Sequence, residues 1–185
     1  MNIDPKILGI IVAAIVVIVI AALWATSRRK AALRQRFGPE YDRTVRERGS
    51  ERAAQTLLAE REKRVDKFHI RDLDPAERER FDERWHTVQS RFVDDPRGAV
   101  IEADDTVQLL MATRGYPMSD FDQRAADLSV DHPHVVENYR AAHNISLRHR
   151  RGEASTEDLR QAMIHYRSLF EELLNRRKAG DRKVA

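Results

Sequence analysis

DPAERERFDERWHTVQSRF, residues 74–92, opens with an acid, a proline and, three residues after that acid, a glutamate. A carboxylate at the N-cap, proline at the first helical position and an acid at the third together satisfy the free amides of a helix start. Phe81, Trp85, Val88 and Phe92 then recur at helical spacing, which predicts an amphipathic helix with one face in a core.

The same punctuation recurs on both sides. Asp94-Asp95-Pro96 leads into Val100, Ala103, Val107, Leu110 and Met111, and Arg114-Gly115-Tyr116-Pro117 stops that helix. Ser119 to Asp122 caps a short helix carrying Phe121, Ala125 and Leu128. Asp131-His132-Pro133 is read as the start of another, with Val135, Val136, Tyr139, Ala142 and His143 on one face and Gly152 at its end. Ser155-Thr156-Glu157-Asp158 caps a last helix bearing Leu159, Met163, Tyr166, Phe170 and Leu173. Toward the N-terminus, Gly38-Pro39 opens a helix to about Arg48, and Gly49-Ser50 separates it from one ending near Lys67. No segment alternates as a strand, so the predicted fold class is all-α, with a compact antiparallel helical bundle over 73–175.

Ahead of these helices lies an uncharged run, Ile7 to Ala25 (ILGIIVAAIVVIVIAALWA), followed by Ser27-Arg28-Arg29-Lys30. As a helix at about 1.5 Å per residue it spans roughly the hydrocarbon thickness of a bilayer. The run is too long for the apolar core of a cleaved secretory signal, and Leu23-Trp24-Ala25 is no small-x-small cleavage site. Arg28, Arg29, Lys30, Arg34 and Arg36 follow it without an acid, which predicts a cytoplasmic C-terminal side and an outward N-terminus. The expected layout is a short extracytoplasmic N-terminus (1–6), a transmembrane helix (7–25), a basic juxtamembrane helical segment (26–72), the bundle (73–175) and a basic disordered tail (176–185).

Charge is ordered along the chain. Residues 28–64 carry 12 basic and 6 acidic side chains, residues 65–159 carry 13 and 20, and residues 160–185 carry 7 and 3. Anionic lipid headgroups are the nearest partner of the first block, with Trp24, Arg28, Arg29, Lys30, Arg34 and Arg36 as the membrane-surface set. Nucleic acid is not expected: no recognition motif appears, and the acidic bundle repels phosphate. Leu58 and Val65, like Arg61 and Phe68, are seven residues apart, but arginine in the seam ranks a homo-oligomer below a simple spacer.

The absence of cysteine removes disulfides, thiolate nucleophiles and cysteine-ligated metals. The seven glycines are scattered singly, so neither a phosphate loop, a dinucleotide fingerprint nor a GxSxG elbow is present. Asp131, His132, His134 and His143 are chemically able to bind metal, yet their spacing matches no helical ligand pattern, and no metal, cofactor or catalytic residue is assigned. Asp104 sits beside core positions and calls for a cation, Arg114 or Arg140. His132 and His134 are expected partly exposed, with Asp131 capping the helix that follows.

The segments VDDP, MATRGYP, DFDQRAADLSVDHPHVVENYRAAH and STEDLRQAMIHYRSLFEELL resemble a family of uncharacterised, membrane-anchored bacterial proteins with RGYP and DHPxVVxxYRxAH-like motifs. That resemblance implies one anchor and a helical domain and brings no activity with it. The chain is accordingly expected to be no enzyme but an interaction or scaffolding module at the cytoplasmic membrane face, binding a protein partner through Arg114, Tyr116, Asp131, His132, His134, Tyr139 and Arg140. The alternative is a tethered enzyme or sensor that holds a small molecule or metal in the 114–143 region, which requires those polar groups to converge.

Overall fold

The computed structural model describes residues 5–175, and within the first helix the side chains from residue 14 onward, residues 22 and 23 excepted. The expected tail, 176–185, and most of the expected N-terminus lie outside the described residues. Among the described residues eight helices follow in order: α1 (Pro5–Phe37), α2 (Pro39–Arg48), α3 (Glu51–Val65), α4 (Pro75–Arg91), α5 (Pro96–Thr113), α6 (Phe121–Asp131), α7 (Val136–Arg150) and α8 (Thr156–Asn175). Among the described residues there is no strand, as the all-α reading expects.

Two compact units divide between Ala59 and Glu60. In the first, α1 is continuous from the apolar run into the basic segment. Gly38, at φ 48°, lets the chain reverse, and α2 packs back against α1. Leu33, Phe37, Tyr41, Ala54 and Leu58 are almost wholly buried. Gln55 donates to the Tyr41 hydroxyl at 3.2 Å, tying α3 to α2. Further up α1, Ile15 to Ile20 are all at least half exposed, so no side of the helix is covered there. Among the described residues no helix is long and apolar enough to cross a membrane.

In the second unit α4 packs on α5, α5 on α7 and α8, α6 on α7, and α7 on α8. Pairs adjacent in the chain run antiparallel. Arg148 meets Asp158 at 2.6 Å near the α7–α8 turn, while Asn138 donates to Ser168 at 3.0 Å far from it. In contrast α5 and α8 run in the same direction, because Asp104 faces Tyr166 while Arg114 reaches the Leu173 carbonyl. The core includes Val88, Val107, Leu110, Met111, Leu128 and Leu169, with Trp85 stacked on Phe170 at 4.5 Å between centroids.

The helix starts read from the sequence are built as expected at α4, α5 and α6. Asp74 accepts from the Glu77 amide at 2.7 Å, and Glu77 reciprocates from the Asp74 amide at 3.0 Å. Asp95 accepts from the Gly98 amide and Asp120 from the Gln123 amide. Asp131 does not cap α7. It is the last residue of α6, residues 132–135 form a turn, and α7 starts at Val136 without a side-chain cap.

Candidate functional site

Arg114 ends α5 and is buried. Its guanidinium donates to the carbonyls of Leu173 at 2.6 Å and Arg71 at 3.3 Å and lies 3.5 Å from the Asp72 carboxylate. Arg78 likewise donates to the Leu174 carbonyl, so two guanidiniums meet adjacent backbone carbonyls near the last described residues of α8. Gly115 follows at φ 95°, and a Cβ there would stand 2.4 Å from the His69 carbonyl oxygen. The backbone of the 114–116 turn is therefore pressed against residues 69–71.

Tyr116 is buried and its hydroxyl donates to Asp131 at 3.1 Å. His132 is buried as well, contrary to the expected partial exposure: its Nδ1 lies 3.0 Å from Glu172 on α8. His134 is exposed. Tyr139 is fully buried against Phe121, and its hydroxyl accepts from Arg124 at 3.3 Å. Burial raises the Tyr139 phenol above its ordinary value. Arg140 pairs with Glu137 at 3.3 Å. The seven residues proposed from sequence as a binding face thus divide. Arg114, Tyr116, His132 and Tyr139 are buried between elements, and only His134, with the half-buried Asp131 and Arg140, reaches the surface. Among the described residues no group of three or more His, Asp or Glu is placed to hold a metal ion.

Asp104 is buried and takes neither expected cation. It accepts from the Tyr166 hydroxyl at 3.0 Å and from Gln108 at 3.0 Å, with Arg150 at 3.9 Å. Ser146 lies 3.0 Å from the same Tyr166 hydroxyl, and burial together with the Asp104 charge pushes that phenol well up. His143, stacked on Phe121 at 3.5 Å, is held below its ordinary value by burial. This buried network was only partly visible in the sequence, because Tyr166 reads there as plain core.

A groove of about 1200 Å³ lies between α4 and α8. Its floor is Trp85 and Phe170, and its charged lining includes Glu79, Asp82, Arg167 and Glu171. Arg167 and Glu171 pair with each other at 2.7 Å. Glu79 forms no ion pair among the described residues, and Asp82 has only His86 at 3.7 Å. The Trp85 indole nitrogen is buried and has no hydrogen-bond partner among the described residues.

In the first unit the basic residues of α1 are unequally engaged. Arg28 lies over the Trp24 ring at 4.1 Å. Lys30 pairs with Glu51 at 2.6 Å, and Arg34 pairs with Asp42 at 3.1 Å and leans toward Tyr41. Arg29 is exposed, and Arg36 is exposed but engaged in a polar contact.

The class these features define is an all-α chain of two helical units with a continuous N-terminal helix. No family model, characterised protein or solved structure matches it.

Proposed function

We propose that this chain is a single-pass membrane protein that presents its second unit at the cytoplasmic face as a docking module for a protein partner, and that the partner binds in the α4–α8 groove. The observation that carries the docking reading is the unneutralised acidity of that groove. Among the described residues, Glu79 and Asp82 line the groove from α4 with no arginine or lysine bonded to them, beside the aromatic Trp85 and Phe170. A partner segment with an apolar side chain flanked by lysine or arginine complements that surface. The anchor reading rests on the nineteen uncharged residues from Ile7 to Ala25, all within α1, and on apolar side chains exposed at successive positions around it. The basic cluster behind the run supports the cytoplasmic orientation.

The test places a photo-crosslinking residue at Gln89, within the groove, or at Leu109, an exposed residue outside it, in the full-length protein in cells. The expected result is an adduct from position 89 that disappears in Glu79→Lys/Asp82→Lys, whose charges repel a basic segment. Equal adducts from both positions, or adducts indifferent to the charge reversal, sink the docking reading. Membranes washed at alkaline pH retain the chain if α1 is an anchor and release it if it is not. A reporter fused after Ala185 that works only outside the cytoplasm overturns the orientation.

A further inference from the structure

The turn between α2 and α3, Gly49-Ser50, is flanked by three arginines. From the reversal at Gly38, the ten residues of α2 run back along α1 for about 15 Å. Arg34 meets Asp42, and Lys30 meets Glu51 at the start of α3, so the Gly49-Ser50 turn stands level with Ser27 to Lys30 of α1. Arg46, Arg48 and Arg52 flank that turn, are exposed, and form no ion pair among the described residues; exposed Arg28 and Arg29 lie at the same level on α1. Trp24 and the end of the apolar run lie one helical turn above.

We propose that Arg28, Arg29, Arg46, Arg48 and Arg52 form one cationic collar that binds anionic lipid headgroups around the point where α1 leaves the bilayer, with the α2–α3 turn as its second half. The inference rests on the anchor reading and changes its details. Lys30 and Arg34, which the sequence assigns to the membrane surface, are instead the struts that hold the turn in place, through Glu51 and Asp42. Two facts favour a lipid surface over other anions. The arginines are gathered about the α2–α3 turn and the adjoining level of α1, just past the apolar run, and Trp24 with Arg28 over its ring is the pairing of an interfacial aromatic and a headgroup-facing cation. Each arginine set at an anionic surface strengthens the contact about fivefold, so three added by the turn outweigh the two on α1.

The chain has no cysteine, so Ser50→Cys gives a single site for a nitroxide label on the full-length protein. The labelled chain is reconstituted in nanodiscs of phosphatidylcholine alone or mixed with phosphatidylglycerol, and accessibility to a nickel chelate is compared with that to dioxygen. The expected result is a loss of nickel accessibility at position 50 in the anionic bilayer only. That loss reverses in high salt and is absent in Arg46→Gln/Arg48→Gln/Arg52→Gln, while a label at Glu153→Cys, in the α7–α8 turn, reads the same in both lipids. Equal accessibility at position 50 in the two bilayers, in a chain that has inserted, overturns the collar and leaves the anchor standing. A chain that an alkaline wash strips from both bilayers overturns the anchor and the collar with it.

Discussion

Asp104 has exchanged water for the Tyr166 hydroxyl and the Gln108 amide, and that hydroxyl also lies beside Ser146. Tyr166→Phe removes one oxygen and leaves two buried groups short of a partner, so it costs about 1–3 kcal/mol, read as a lower denaturant midpoint for the full chain in detergent. The Tyr139 and Tyr166 phenols are held neutral by burial, above their ordinary value of 10. Their contribution to stability is complete below pH 10 and is lost as pH rises through the folded values. Ultraviolet titration should therefore show both ionising together with loss of helix. His143 has the opposite sign. Its folded value lies below 6.5, so its contribution is complete above that pH and is lost on acidification through the folded value, which a series of melts downward from pH 6.5 measures. The need of Asp104 for a partner was legible in the sequence. The partner was not, because Tyr166 lies 62 residues away on a helix whose spacing gives no sign of a polar role.

The helix starts were the most legible elements, since an acid followed by proline states both the cap and the first φ angle locally. The misread start at Asp131-His132-Pro133 shows the limit of that rule. The His132 amide donates to the Leu128 carbonyl at 2.8 Å, so α6 runs on to Asp131, and the imidazole is fixed by Glu172, 40 residues distant. The caps themselves are acid-sensitive. The Arg71 guanidinium, with the Asp74 amide, holds Glu77 down to about 2, Arg160 and Gln161 hold Glu157 to about 2, and Ser155 with Arg148 holds Asp158 to about 2. All three lie below their ordinary values of 4.5 or 3.8, so their support for the starts of α4 and α8 is present above those values and is lost as pH falls toward 2. Amide protection at Glu77 and Asp158 should fall over that interval before the core opens. At the end of α5, Gly115→Ala must both hold a positive φ and displace the His69 carbonyl, a cost of at least about 2 kcal/mol seen as a lower melting temperature.

Across the whole molecule, sequence patterning located the second unit well and the first poorly. Trp85, Val107, Tyr166 and Phe170 lie on regular stripes, and Ala54 and Leu58 recur at helical spacing on α3, whereas Leu33, Phe37 and Tyr41 are buried on helices so rich in arginine that no stripe announces them. The α4–α8 groove was equally hidden, since its two walls are drawn from residues 72–89 and 167–175. Phe170→Ala removes the ring stacked on Trp85 and costs about 3–5 kcal/mol in the second unit, checked by calorimetry. The chain's two tryptophans fall in different units: Trp24 is 60% exposed beside Arg28, and Trp85 is 4% exposed against Phe170. Intrinsic emission is therefore a two-channel signal. With Trp24→Phe the remaining fluorescence comes from the bundle alone, and with Trp85→Phe from the N-terminal helix alone, so each unit can be followed through unfolding with no added dye.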